Sequence, residues 1–107
     1  MPSGPESDSS AHAEGADLIR ATVVIRGTVQ GVGFRWWTAR QADELALTGS
    51  VANESDGSVR LIAQGPRASV EELVLRLRSR EAPGRVERIV QDVSSADPDC
   101  IEFRIQD

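Results

Sequence analysis

A chain of 107 residues has room for one domain with a single modest core. Four acidic side chains within residues 1–17 account for most of the formal net charge of −5, so the rest is nearly neutral and lacks the basic excess that nucleic-acid binding requires. No apolar run approaches the roughly 20 residues that span a bilayer, no secretory signal opens the chain, and Cys100 is the only cysteine. We expect a cytoplasmic monomer that binds neither membrane nor nucleic acid.

Residues 1–17 are rich in Ser, Ala, Gly, Pro and acidic residues. A segment of this composition cannot bury enough apolar surface to offset its loss of chain entropy. The composition therefore predicts a disordered acidic leader, followed by one domain over residues 18–107. His12, the only histidine, lies in this leader, so we expect no histidine in the folded domain that could act as a base.

The first half of the domain alternates between strand and helix patterns. Apolar residues recur at every second position over residues 19–26, which predicts a strand. A glycine-rich stretch follows, and residues 34–45 then predict a helix. The side of this helix that packs on a sheet is expected to carry residues at spacings of three and four: Thr38, Ala42 and Leu45. Residues 47–53 predict a second strand.

Turn and cap signals organise the second half. Asp56-Gly57 predicts a hairpin, because glycine tolerates positive φ, and alternation from Val59 to Ala63 predicts a third strand antiparallel to the second. Ser69 and Glu72 have the spacing of a capping box, which predicts that a helix begins at Ser69; Pro83-Gly84 would stop it. Its apolar stripe comprises Val70, Leu73, Val74 and Leu77.

Two further strand patterns complete the chain, over residues 86–93 and at Ile101, Phe103 and Ile105. The order is then β-α-β-β-α-β with one short extra strand. Two helices with one apolar stripe each bury those stripes most economically on the same face of a sheet. We therefore predict an α+β, ferredoxin-like fold, a split β-α-β sandwich in which an antiparallel sheet carries two helices on one face.

The loop between the first strand and the first helix has the features of an anion site. It reads Gly27-Thr28-Val29-Gln30-Gly31-Val32-Gly33-Phe34-Arg35. Gly31 and Gly33 permit a tight turn with close approach of the backbone, and the N–H groups at a helix start are unpaired and partly positive. Arg35 adds a planar cation that can bind two oxygens at once. The combination predicts a site for a phosphate-sized anion.

The sequence lacks the residues that several other classes of phosphate-binding or phosphate-transferring protein require. The chain has no lysine and therefore no P-loop, the glycine-rich loop has no cysteine, and no His, Cys and acidic residues share metal-ligand spacing. Water is then the nucleophile, with little to activate it. An acyl phosphate suits such a site, because its carboxylate leaving group, with a conjugate-acid pKa of roughly 4, departs without a proton.

The glycine-rich loop resembles the signature of the acylphosphatase family, and Gly49-Ser50-Val51-Ala52-Asn53 with Asp56-Gly57 resembles the family's second signature. The resemblance runs from about residue 20 to the C-terminus. It implies hydrolysis of the carboxyl–phosphate bond of a small-molecule acyl phosphate without metal or cofactor. It also implies that Arg35 binds phosphate, that Asn53 positions water, and that the phosphate cradle comprises Gln30, Gly31, Val32, Gly33, Phe34 and Arg35.

Two positions depart from the family pattern. Ser50 stands where tryptophan is frequent, and Ala46 stands where glycine is common before the second strand. The alternative to an enzyme is a non-catalytic regulatory module that binds phosphate or carbamoyl phosphate within a larger maturation enzyme; the end of the chain just after the domain favours the enzyme. Trp36 and Trp37 point roughly 100° apart on a helix, so we expect one to be packed and one partly exposed.

Overall fold

The computed structural model describes residues 17–106. Within them, five strands and two helices follow in the predicted order: β1 (Leu18–Thr28), α1 (Phe34–Glu44), β2 (Thr48–Asn53), β3 (Val59–Pro66), α2 (Arg67–Leu77), β4 (Arg85–Ser95) and β5 (Phe103–Gln106). Residues 1–16 of the predicted leader lie outside the described residues. Its last residue, Asp17, accepts hydrogen bonds from the backbone N–H and the guanidinium of Arg67, each at 3.1 Å.

The strands form one sheet in the order β4-β1-β3-β2-β5. The β1/β3, β1/β4 and β2/β3 pairs are antiparallel, as predicted. The β2/β5 pair is parallel, so the prediction of a wholly antiparallel sheet is wrong at this edge. The reason is the route of the chain. Residues 96–102 cross from β4 at one edge of the sheet to the other edge and reverse the chain direction once, so β5 runs opposite to β4 and in the same direction as β2. Ile101, predicted within the last strand, lies in this crossing and is 81% exposed.

The core lies between one face of the sheet and the two helices. Three alternate residues of β1, from Ala21 to Ile25, are fully buried, as are their partners on β3. The helices close the core with most of the predicted stripes, although Leu45 and Val74 are only half-buried. The buried helix residues are Phe34, Thr38 and Ala42 on α1, and Val70, Leu73 and Leu77 on α2. The two-helices-on-one-face architecture is therefore confirmed.

The second helix begins earlier than its capping signal predicts. Pro66, with φ −58° and ψ 139°, is the residue before the helix, and Arg67 is the first helical residue. Ser69 lies inside the first turn, and no side chain within residues 17–106 caps the helix, so the predicted capping box is wrong. Pro66 has no N–H and disfavours a helical conformation at the residue before it, so the helix does not extend further toward the N-terminus, and the bonds to Asp17 hold its first residue, Arg67.

The same helix also ends earlier than predicted, at Leu77 rather than at Pro83-Gly84. The hydroxyl of Ser79 donates to the carbonyl of Arg76 at 2.7 Å and accepts from the N–H of Glu81 at 3.2 Å. A serine that bonds nearby backbone groups in this way offers them an alternative to the helix. The chain therefore leaves the helix several residues before the proline.

Candidate active site

The β1–α1 loop turns sharply at two glycines. Gly31 has φ +77° and Gly33 has φ +82°, and a Cβ added to either would meet no atom within 4 Å. The glycines are therefore required for the backbone conformation rather than for space. Gly33 immediately precedes α1, and its carbonyl accepts the first helical bond from Trp37 N–H at 3.0 Å.

The start of α1 is electrostatically open. No side chain among the described residues caps the helix, and its first turn contains no acidic residue. Its first N–H groups therefore keep their partial positive charge facing the loop. This arrangement favours an anion at the junction of loop and helix.

Arg35 lies in this first turn, and the far edge of the sheet helps to hold its side chain. Its guanidinium donates a hydrogen bond to the carbonyl of Gln106, at the end of β5. Arg35 as a whole is half-buried, and this hydrogen bond lies at an exposed position. A planar guanidinium anchored in this way loses less conformational freedom when it binds an oxyanion than one that moves freely.

Asn53 is the last residue of β2. Its Oδ1 atom is buried and has no hydrogen-bond donor among the described residues. Leaving a buried acceptor unpaired costs about 1–3 kcal/mol, and such atoms in native structures often belong to functional sites. An amide both donates and accepts hydrogen bonds but takes up no proton near neutral pH, so it can orient a molecule without acting as a base.

One cavity of about 230 Å³ brings most of the predicted site residues together. Five of the predicted residues line it: Gly31, Gly33, Phe34, Arg35 and Asn53. Val29 and Trp36 complete the described lining. Among these lining residues only Arg35 carries an ionisable side chain. The groups available for chemistry in the cavity are therefore hydrogen-bond donors held by the backbone and one cation, Arg35.

The other two predicted cradle residues, Gln30 and Val32, are not part of this lining. Val32 is 38% exposed beside it. The side-chain amide of Gln30 donates instead to the carbonyls of Glu54 and Ser58, at 2.8 and 2.9 Å. The sequence motif marks Gln30 as part of the loop but gives no sign that its side chain bonds to the β2–β3 turn.

The two tryptophans divide as predicted. The ring of Trp37 contacts that of Phe34, with centroids 6.2 Å apart, whereas Trp36 is 71% exposed at the cavity. Trp36 is thus a lining residue that the anion motif alone does not identify. Its position follows from the helix period, which turns it away from the core.

The β2–β3 turn next to Asn53 is stabilised by Asp56. Its Oδ1 accepts from the hydroxyl of Ser58 at 2.6 Å and from the N–H of Ser58 at 2.9 Å, and its Oδ2 lies 3.0 Å from the guanidinium of Arg26. These contacts, the hydroxyl bond first, lower the pKa of Asp56 from 3.8 to about 2. The carboxylate is therefore charged throughout the neutral range.

The described residues supply neither a metal-binding cluster nor a membrane helix. No group of three or more His, Cys, Asp and Glu side chains among residues 17–106 could hold a metal ion. No helix in the same range is long and apolar enough to cross a membrane.

The fold and the loop define an α+β protein of the ferredoxin-like class with a candidate anion site at its first loop. Comparison with known proteins supplies the family. The acylphosphatase family model matches residues 21–105. The acylphosphatase of Paenarthrobacter aurescens (strain TC1) is 53% identical over 91 residues, which cover 85% of this chain and 97% of that relative.

Comparison with solved structures supports the same family. The structure of an acylphosphatase from Coxiella burnetii matches with a TM-score of 0.78 and 34% identity, covering 87% of this chain and 97% of that one. The acylphosphatase from Bacillus subtilis matches with a TM-score of 0.76 and 30% identity, covering 82% and 98%. The chain therefore belongs to the acylphosphatase family and is a hydrolase, as the two signatures predicted.

Proposed function

We propose that the protein hydrolyses the carboxyl–phosphate bond of small acyl phosphates, giving a carboxylate and inorganic phosphate without a metal ion. The phosphoryl group binds to the backbone N–H groups of the β1–α1 loop and to Arg35, and Asn53 orients the attacking water. The observation that supports this most is the shared cavity: Arg35, the two loop glycines and Asn53 line it although they come from two separate segments.

The lining also suits this leaving group better than an alkoxide. A phosphate monoester expels an alkoxide, which requires a proton from a general acid. No described lining residue other than Arg35 is ionisable, and arginine stays protonated. A carboxylate leaves without a proton, because its conjugate acid has a pKa of roughly 4.

Charge stabilisation then supplies the main part of catalysis. Phosphoryl transfer depends largely on positioning and electrostatics, and a guanidinium matches two phosphoryl oxygens. Removal of one preorganised donor from such a site costs on the order of 3 kcal/mol, or about a hundredfold in rate. Loss of Arg35 should cost more, because it is the cation that lines the cavity. The bound phosphate itself accepts the proton of the attacking water in this mechanism.

The test is hydrolysis of benzoyl phosphate with EDTA present. We expect turnover that EDTA leaves unchanged and that falls at least about a hundredfold in Arg35→Gln and Asn53→Ala. Arg40→Gln is the matched control, since Arg40 is an exposed arginine of the same helix outside the cavity lining and should retain full activity.

Two results would overturn the proposal. Binding of acyl phosphate without turnover would favour the regulatory module that binds phosphate or carbamoyl phosphate. Activity that EDTA abolishes and a divalent cation restores would exclude the metal-free mechanism. We also propose that the protein acts as a cytoplasmic monomer, which sedimentation of the purified chain and fractionation of the cells that produce it would check.

A further inference from the structure

We propose that Gln30 is a positioning residue that holds the β2–β3 turn, and with it Asn53, in register with the phosphate-binding loop. The inference rests on the proposed function and concerns a side chain outside the cavity lining. Its amide nitrogen donates to two carbonyls of that turn, Glu54 at 2.8 Å and Ser58 at 2.9 Å. These two bonds use both N–H donors of the side chain.

The two carbonyls are the ones that close the turn. The carbonyl of Ser58 also accepts from Glu54 N–H at 2.8 Å, and the carbonyl of Glu54 also accepts from Gly57 N–H at 3.1 Å. Gln30 therefore bonds both ends of a closed turn at once. Asn53 immediately precedes this turn, so a shift of the turn moves the Asn53 side chain as well.

The backbone fixes this register only up to one row of residues, in which Val59 pairs with Asn53 on one side and with Ile25 on the other. The ladder between β1 and β3 ends at Ile25 opposite Val59, and β2 has β3 and β5 as its neighbours. Beyond that last pair, the bonds between the loop side and the turn that are described come from side chains. They are the two Gln30 bonds and the ion pair of Arg26 with Asp56.

Of these two connections, the Gln30 bonds are better placed to fix a distance. The side chains of Arg26 and Asp56 are 51% and 52% exposed, and exposed ion pairs contribute little and are screened by salt. The bond from Gln30 to Glu54 is exposed as well, but the bond from Gln30 to Ser58 is part-buried, and Ser58 itself is 3% exposed. Displacement of a positioning group by about 1 Å can cost a hundredfold in rate.

Loss of the Gln30 bonds should affect the chemical step but not the binding of phosphate. The cradle lies in the loop and the first turn of α1, so it does not need the turn in order to bind phosphate. In Gln30→Ala we expect kcat to fall by about 10- to 100-fold. The inhibition constant of inorganic phosphate should change by less than about threefold, since the substitution leaves the backbone N–H groups of the loop and the Arg35 guanidinium in place.

The chain offers a matched control at Gln64. This glutamine also joins two segments, donating to the carbonyl of Asp97 at 2.8 Å and accepting from its N–H at 2.9 Å, and it lies away from the cavity. Gln64→Ala should lower thermal stability at least as much as Gln30→Ala but leave kcat unchanged. Equal losses of kcat in the two variants would reduce Gln30 to a general structural role and overturn the proposal.

A double-mutant cycle tests the link to Asn53. If Gln30 acts by placing Asn53, Gln30→Ala should lower kcat by less than about threefold in an Asn53→Ala background. A full loss in that background, or a phosphate inhibition constant that rises in step with the loss of kcat, would show that Gln30 supports the cradle instead. Either result would overturn the proposal.

A final measurement does not depend on turnover. Amide hydrogen exchange at Glu54 and Gly57, whose N–H groups close the turn, should quicken at least about tenfold in Gln30→Ala and stay at the wild-type rate in Gln64→Ala. Unchanged exchange would refute the connection itself. Failure of the wild-type protein to hydrolyse acyl phosphate would instead refute the proposed function, so the two failures are distinguishable.

Discussion

Ala46, two residues after the end of helix α1, has a backbone conformation that alanine disfavours. Its φ is +57°, and it is the one described residue other than glycine with a positive φ. The N–H of Leu47 donates to Ala42 at 2.9 Å and that of Ala46 donates to Asp43 at 3.0 Å. This bond pair defines a Schellman motif, in which the residue at Ala46 is usually glycine.

The substitution Ala46→Gly should therefore stabilise the protein. A left-handed conformation costs an alanine about 1–2 kcal/mol. Glycine relieves this strain but gains about 0.4–1 kcal/mol of chain entropy in the unfolded state. The net gain is about 0.5–1 kcal/mol, which for a domain of this size raises Tm by roughly 3–6 °C.

The assay is urea and thermal unfolding followed by circular dichroism, with Ala39→Gly as the control. Ala39 is interior to the same helix, so glycine there should destabilise by about 1 kcal/mol. Activity should not change in Ala46→Gly, because Ala46 is not part of the cavity lining. A Tm for Ala46→Gly equal to or below that of the wild type would refute the strain argument.

Three further predictions concern a buried hydroxyl, the active-site lining and the turn. Thr38 is fully buried and its Oγ1 has no partner among the described residues, so Thr38→Val should raise the free energy of unfolding by about 1 kcal/mol in urea, whereas Thr38→Ser should lower it. Because Arg35 is the one ionisable lining residue described, kcat should be flat from about pH 6 to pH 9; an inflection near pH 6.5 would count against the mechanism. The lowered pKa of Asp56, about 2 against 3.8, means that its contribution to stability is complete above pH 3.8 and is lost as pH falls toward 2. The difference in urea midpoint between wild type and Asp56→Asn should then be constant above about pH 5 and shrink below about pH 4; a constant difference down to pH 2 would contradict the pKa.

The sequence was sufficient to predict the elements whose signal is local. Alternation along β1 and the spacing of Thr38 and Ala42 on α1 each report which face is buried, because burial repeats with the period of the element. The anion motif likewise depends on two glycines and a helix start within a few residues of one another. The strand, the buried face of the helix and the glycine turn at the helix start were confirmed, while the anion site itself and the roles of Arg35 and Asn53 stay predictions.

Features set by distant partners could not be predicted. The parallel direction of β5 depends on which edge of the sheet the chain crosses to, and no residue of Phe103–Gln106 encodes this. The start of α2 depends on Asp17, which is 50 residues from Arg67 in sequence. The bonds of Gln30 reach 24 and 28 residues along the chain, so its motif position alone suggested a phosphate contact.

The most direct test of the account follows the oxygen of the attacking water. The central claim is that water attacks phosphorus while Arg35 and the loop hold the phosphoryl group. Hydrolysis of benzoyl phosphate in water enriched in oxygen-18 should place the label in inorganic phosphate, as mass spectrometry of both products would measure. Label in the benzoate instead would mean attack at the carbonyl carbon and would contradict the account.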